Sequence, residues 1–187
     1  SSRIVELDWW EQHQVGGLVI TATPSRHFSG RALLFHDQNA TLWAGWAIVG
    51  ERFRVFYSGD TALHNEFQAI GERLGPFDVT LMEVGAYNQL WADVHLGPEQ
   101  AVLAHQLVRG EIMIPVHWGL FDLALHGWTE PAERVVLAAQ RLGAKVRVMR
   151  PGASFDIKQG PSVDRWWPDT PWKDVSEDPA WSSNVDE

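Results

Sequence analysis

The stretch RVFYSGDTALHNEF, residues 54 to 67, changes character in its middle. Arg54 to Tyr57 read as a short strand, and from Ala62 onward the apolar spacing turns helical. Between them Ser58-Gly59-Asp60-Thr61 puts a carboxylate at the carboxyl end of a strand that feeds a helix. In layered α/β folds that edge of the sheet collects the ligand site. What Asp60 holds there is therefore the question that organises the rest of the chain.

Outward from this stretch, alternation and β-branched content predict strands near residues 3–9, 17–23, 41–49, 53–58, 78–84, 111–117 and 145–150. Helical spacing predicts helices near 62–74, 98–109 and 130–142. Thr129 and Pro131 suit the start of the last, while Gly75-Pro76, Gly110 and Gly143 suit helix stops. From residue 53 strands and helices alternate, which predicts a layered α/β fold. Before it the strands follow one another, as in hairpins. After residue 158 a tail rich in Trp, Pro and Asp loses all periodicity, giving a boundary between 1–158 and 159–187.

The chain has 187 residues, 45% hydrophobic and 21% charged, enough for one domain with its own core. No apolar run reaches the length of a membrane span, and no signal peptide is visible. The formal charge of −9 argues against nucleic acid as a partner. With no cysteine, thiolate chemistry and disulfides are excluded, and any metal must be held by His, Asp or Glu. The cytoplasm is the default compartment.

Two further sites share the grammar of Asp60. His27 follows an apolar strand in TATPSRHFSGR, and His117 follows another in IMIPVHWGLF. Imidazoles and a carboxylate at strand ends suit a divalent metal. Each also has a plainer reading, as a hydrogen-bonded histidine near the core or as a helix cap, and Thr61 caps as well as Asp60. Spacing alone leaves both open.

The blocks TPSRHFSGR, TLWAGWAI, FYSGDTALHNEFQAIGERLGPFDVTLMEVGAYN, VHLGPEQAV and PVHWGLFDLALHGWTEP, between about Val5 and about Ile157, together resemble the carboxyl-terminal half of metallo-β-lactamase-fold hydrolases. The branch they are most similar to is the N-acylphosphatidylethanolamine-hydrolysing phospholipase D and its bacterial relatives. The resemblance implies an αββα sandwich with two divalent metals, zinc by preference, at one edge. It makes His27 a ligand of the first metal, Asp60 the bridge and His117 a ligand of the second, around a bridging hydroxide. The family's H-x-H-x-D-H motif is absent, because none of the eight histidines (13, 27, 36, 64, 95, 105, 117 and 126) has another two residues away. The expectation is a carboxyl-terminal portion whose partner is the missing amino-terminal half, and which alone binds metal weakly.

The same resemblance places His95, in WADVHLGPEQAV, near the substrate, so Asp60 and His95 are the candidate catalytic residues. Tyr87 and His126 are candidates for substrate contact, although both also suit packing. Gly59 and Gly85 are expected where backbone passes close to the centre. The expected function is a metal-dependent phosphodiesterase or phospholipase D-like enzyme acting on a small-molecule or lipid ester. Alternatives are a lactonase or other ester hydrolase, a phosphoacceptor signalling domain, and a Trp-rich interaction module. Exposed apolar surface would favour homo-oligomers, and the tail tryptophans offer either a peripheral membrane contact or packing onto the body.

Overall fold

One mixed sheet runs in sequence order: β1 (Gln12–Val15), β2 (Leu18–Pro24), β3 (Ala44–Val49), β4 (Arg54–Tyr57), β5 (Phe77–Glu83) and β6 (Gly110–Val116). The computed structural model describes residues 4–30, 36–180 and 182. β1 to β4 pair antiparallel, whereas β4, β5 and β6 pair parallel. Parallel neighbours need crossovers, and α1 (Glu66–Leu74) and α2 (Pro98–Leu107) supply them. α3 (Glu130–Leu142) follows β6 and leads to β7 (Arg147–Val148), which pairs with β8 (Ser162–Val163) and sits beside β6 through a Met113–Val146 bridge.

The register separates two faces. The cross-strand row Ala47, Phe56, Thr80 and Met113 is fully buried. Phe67 and Ile70 of α1, Val102 of α2 and Val135 of α3 join Phe56, Met82 and Met113 in one core cluster. Burying each such large side chain contributes roughly 1.5–3 kcal/mol. The adjacent row Trp46, Tyr57, Leu81 and Ile114 points to the opposite face and stays half-buried, with Tyr57 38% exposed.

Several expected boundaries shift for physical reasons. Residues 4–8 form no strand, and Arg3 lies outside the described residues. Trp10 adopts a left-handed conformation (φ 72°) and packs under the Arg73 guanidinium of α1, 3.7 Å from its ring, so the edge strand starts only at Gln12. α1 begins at Glu66 rather than near 62 because the backbone before it is engaged elsewhere: Thr61 donates to Glu83 and Ala62 to the Arg26 carbonyl. After α2 the left-handed residue is Arg109, and Gly110 already belongs to β6. Thr129 occupies the cap position of α3 without capping it; its hydroxyl bonds Thr170 instead.

The tail lies against the body. Trp166 and Trp167 gather around Trp118, with ring centroids at 5.4 and 5.3 Å, and Trp167 donates to Glu133. Trp181 lies outside the described residues. Among the described residues no helix is long and apolar enough to cross a membrane.

Candidate metal centre

Topology brings the strand-end residues together. β2 and β4 are both antiparallel to β3, so they run parallel to each other, and their carboxyl ends share an edge with those of β5 and β6. His27, Asp60 and His117 each follow one of these strands. Their loops are stitched to one another: the Ser25 hydroxyl donates to the Ser58 carbonyl, and the Arg26 amide donates to Thr61. At this edge lies a cleft of about 470 Å³ whose lining includes His27, Asp60, His95 and His117. The imidazoles of His27 and His117 each lie 5.2 Å, centroid to centroid, from that of His95.

The spacing of His117 and Asp60 fits a divalent cation, whereas His27 and Asp60 are not part of the group of three converging donors, Glu83, His95 and His117. His117 Nε2 stands 3.7 Å from Asp60 Oδ1, too far for a hydrogen bond. Two donors about 2.1 Å from one tetrahedral cation stand about 3.4 Å apart, so the separation suits a shared ion. His27 directs Nδ1 at the Phe28 carbonyl, 2.8 Å away, which makes Nδ1 the protonated nitrogen and leaves Nε2 its lone pair. Burial holds the His27 pKa below its usual value despite that hydrogen bond, and the neighbouring His95 adds to the lowering. Burial lowers His95 as well. Both rings are therefore neutral in neutral solution, the state in which imidazole binds metal.

The backbone around the cleft is held in uncommon conformations. His117 (φ 64°) and Ala86 (φ 62°) are both left-handed, which costs non-glycine residues about 1–3 kcal/mol and clusters at functional sites. Gly85 has a packing reason: a Cβ there would meet the His117 carbonyl at 2.1 Å. At Gly59 (φ 62°) a Cβ would meet the Ala44 carbonyl at 2.6 Å. These two glycines let β3, β4 and the ends of β5 and β6 approach closely enough to gather the donors.

The sequence reading passed over Glu83, the last residue of β5. It is fully buried, and with His95 and His117 it forms a group whose donor atoms lie within 4.8 Å of one another, a set that could itself hold a metal. Its Oε1 accepts from the Thr61 and Leu96 amides at 2.9 and 2.8 Å. Its Oε2 lies 3.0 Å from His95 Nδ1 and 3.7 Å from His117 Nδ1. Burial pushes the Glu83 carboxyl well above the usual range, opposed by its two amide donors and by His117. An acidic residue closing the otherwise apolar VTLM run was the available signal, being the same strand-end grammar as Asp60.

Tyr87 and His126 sit behind the cleft wall. His126 Nε2 accepts from the Ala86 amide, its Nδ1 donates to the Gly127 carbonyl, and its ring stacks on Tyr87 at 4.3 Å. The Tyr87 hydroxyl is buried and donates to Glu130 at 2.6 Å. Arg134, with no exposure, grips Glu99 with two nitrogens and reaches Tyr87, Glu130 and the Asp178 carbonyl of the tail. Both residues thus touch the cleft through Ala86, which lines it.

A family model described as "Beta-lactamase superfamily domain" matches residues 1–118. An uncharacterised protein of Mycobacterium tuberculosis is 46% identical over 168 residues, covering 88% of this chain and 44% of the relative. An N-acyl-phosphatidylethanolamine-hydrolyzing phospholipase D of Caenorhabditis elegans is 37% identical over 143 residues, covering 72% of this chain and 40% of the relative. The solved metallo hydrolase Igni18 of Ignicoccus hospitalis superposes with a TM-score of 0.60 at 30% identity, over 80% of this chain and 58% of that one. The chain thus spans less than half the length of these two curated relatives.

Proposed function

The chain belongs to the β-lactamase superfamily, and from that premise we propose that it is a metal-dependent hydrolase whose substrate is a phosphodiester carried by a lipid or small molecule. The observation that carries this reading is the meeting of His27, Asp60 and His117 with His95 in one cleft. Asp60 and the Nε2 atoms of His27 and His117 are the side-chain atoms that hold metal. A bound divalent ion, zinc being well suited to imidazole and carboxylate, supplies Lewis-acid polarisation and acidifies water. His95, neutral and in the same lining, takes or returns a proton at Nε2. Phe28, Trp91 and Leu123 give the cleft apolar lining.

The phosphodiester assignment leans on the nematode relative, whose name states that it hydrolyses N-acyl-phosphatidylethanolamine. Leu120, Phe121 and Leu125, all at least 74% exposed in the loop after His117, support an apolar chain on the substrate. The half-exposed row of Trp46, Tyr57, Leu81 and Ile114 supports a second apolar layer as partner, which we assign to the other half of an αββα sandwich. That half would bring the H-x-H-x-D-H ligands, and the relatives' greater length has room for it.

The test measures bound metal and turnover of a bis-nitrophenyl phosphate, a nitrophenyl carboxylate ester and a lactone, in this chain alone and joined to that half. Metal-dependent phosphodiesterase activity lost in Asp60→Asn is the expected result. Lactone or carboxylate-ester turnover without phosphodiesterase activity would transfer the protein to the alternative hydrolase class. Failure of both forms to bind metal would refute the centre.

A further inference from the structure

We infer that the Trp-rich tail is a positioning strap for the cleft: it fastens the backbone just after His117 at one end and just after His95 at the other. The first fastening is aromatic. Trp118 follows His117, and its ring meets those of Trp166 and Trp167 at 5.4 and 5.3 Å. Those two indoles are anchored in turn, Trp166 donating to the Met149 carbonyl and Trp167 to Glu133 of α3. The second fastening lies at the start of α2. Gly97, which follows Leu96 after His95, occupies the cap position of that helix, and a Cβ placed on it would stand 2.2 Å from the Ala180 methyl of the tail. Gln100 joins the two sides: its Oε1 accepts from the Gly97 amide and its Nε2 donates to the Ser182 hydroxyl, each at 2.9 Å.

Between these points the tail is stitched to the first turns of both helices. The Thr170 hydroxyl bonds that of Thr129, the Lys173 amide donates to Glu130, and the Asp178 carbonyl accepts from Arg134, which also grips Glu99 of α2. A segment without a hydrogen-bond ladder of its own takes its path from such partners. His95 and His117 both stand outside helix and strand, so each imidazole is placed only as well as the backbone that carries it. A displacement of about 1 Å at a reacting group can cost about 100-fold in rate.

This rests on the hydrolase reading for its effect on turnover, but its direct test needs neither metal nor substrate. Gly97 has φ −74° and ψ 162°, extended backbone that alanine adopts freely, so Gly97→Ala acts by pushing its methyl against the tail. In proton–carbon spectra of the histidine rings of the metal-free chain, Gly97→Ala is expected to displace the His95 signals. Adding Ala180→Gly should restore them, because the nearest tail atom is then the Cα of residue 180, at 3.7 Å. Truncation after Pro171 removes Asp178, Ala180 and Ser182 but keeps Trp166 and Trp167, and should also displace His95. Trp166→Leu should loosen the other end, speeding amide exchange at Trp118 with the His95 signals unmoved. Unmoved His95 signals in the truncated chain overturn the inference, as does a displacement in Gly97→Ala that Ala180→Gly fails to reverse, or unchanged exchange at Trp118 in Trp166→Leu. In metal-loaded enzyme, the truncation is expected to lower kcat by about 10–100-fold with KM nearly unchanged; an unchanged kcat overturns the inference too. Absence of hydrolysis in every form would count against the proposed function and leave the ring spectra to decide the strap.

Discussion

Removing Arg134 should show how strongly the tail and the cleft wall are tied together. Arg134 has no exposed surface, and its guanidinium meets Glu99 at 2.7 and 3.0 Å, the Asp178 carbonyl at 2.9 Å, and Tyr87 and Glu130 at 3.3 and 3.4 Å. Burial opposes its charge, but the hydrogen bond to Glu99, with Tyr87 and Glu130, outweighs that and raises its pKa. Breaking a buried pair from one side costs about 3–5 kcal/mol. Glu99 is 25% exposed and can turn to water, whereas Glu130 is 3% exposed and would keep the Tyr87 hydroxyl and Lys173 amide but lose its counter-charge, so Arg134→Leu should lie near the lower end, at about 3 kcal/mol. For a domain of this size that is a fall in Tm of about 6–12 °C. Thermal melts followed by circular dichroism measure it, and adding Glu130→Gln should recover part of the loss by removing the charge left without its counter-charge. Arg165→Leu is the control: its bridge to Glu133 is half-exposed on the arginine side, and its loss should stay below about 1 kcal/mol. Equal losses in the two single variants, or a loss under about 1 kcal/mol for Arg134→Leu, would refute the reasoning.

Acid should weaken the fold through His105, which is buried against Thr80 and has its pKa lowered to about 4 by burial. The depressed value means that the unfolded chain binds the proton first; the contribution is whole above the unfolded value of 6.5 and is lost as pH falls toward about 4. Urea titrations at about pH 8 and about pH 5 should differ by about 2 kcal/mol from this residue, and His105→Gln should reduce the difference. His64, lowered to about 4 by burial, adds in the same sense. His117→Gly should be more stable than His117→Ala by about 1 kcal/mol in denaturant melts, because position 117 is left-handed, while both variants lose metal affinity. Gly85→Ala should lower metal affinity measured by calorimetry, since the new methyl would meet the His117 carbonyl at 2.1 Å; unchanged affinity would show that the strand end is free to shift.

The local chemistry was legible in the sequence. Alternation located β2 to β6, helical spacing located α2 and α3, and a polar residue after each apolar run marked His27, Asp60 and His117. Those signals are periodic or local, so single residues report them. Tertiary structure decided everything that depends on which groups meet. Trp10 left the edge strand for α1 because its ring packs there under Arg73, and α1 started late because Thr61 and Ala62 had partners across the cleft. Glu83 looked like one acidic residue at the end of an apolar strand; only the fold places its two oxygens among Thr61, Leu96, His95 and His117. Tyr87 and His126 likewise read as residues near a site, and the packed chain turned them toward Glu130 and Ala86. A sequence names the donors and acceptors, but a buried polar group must find a partner, and that partner comes from strands far apart in the chain.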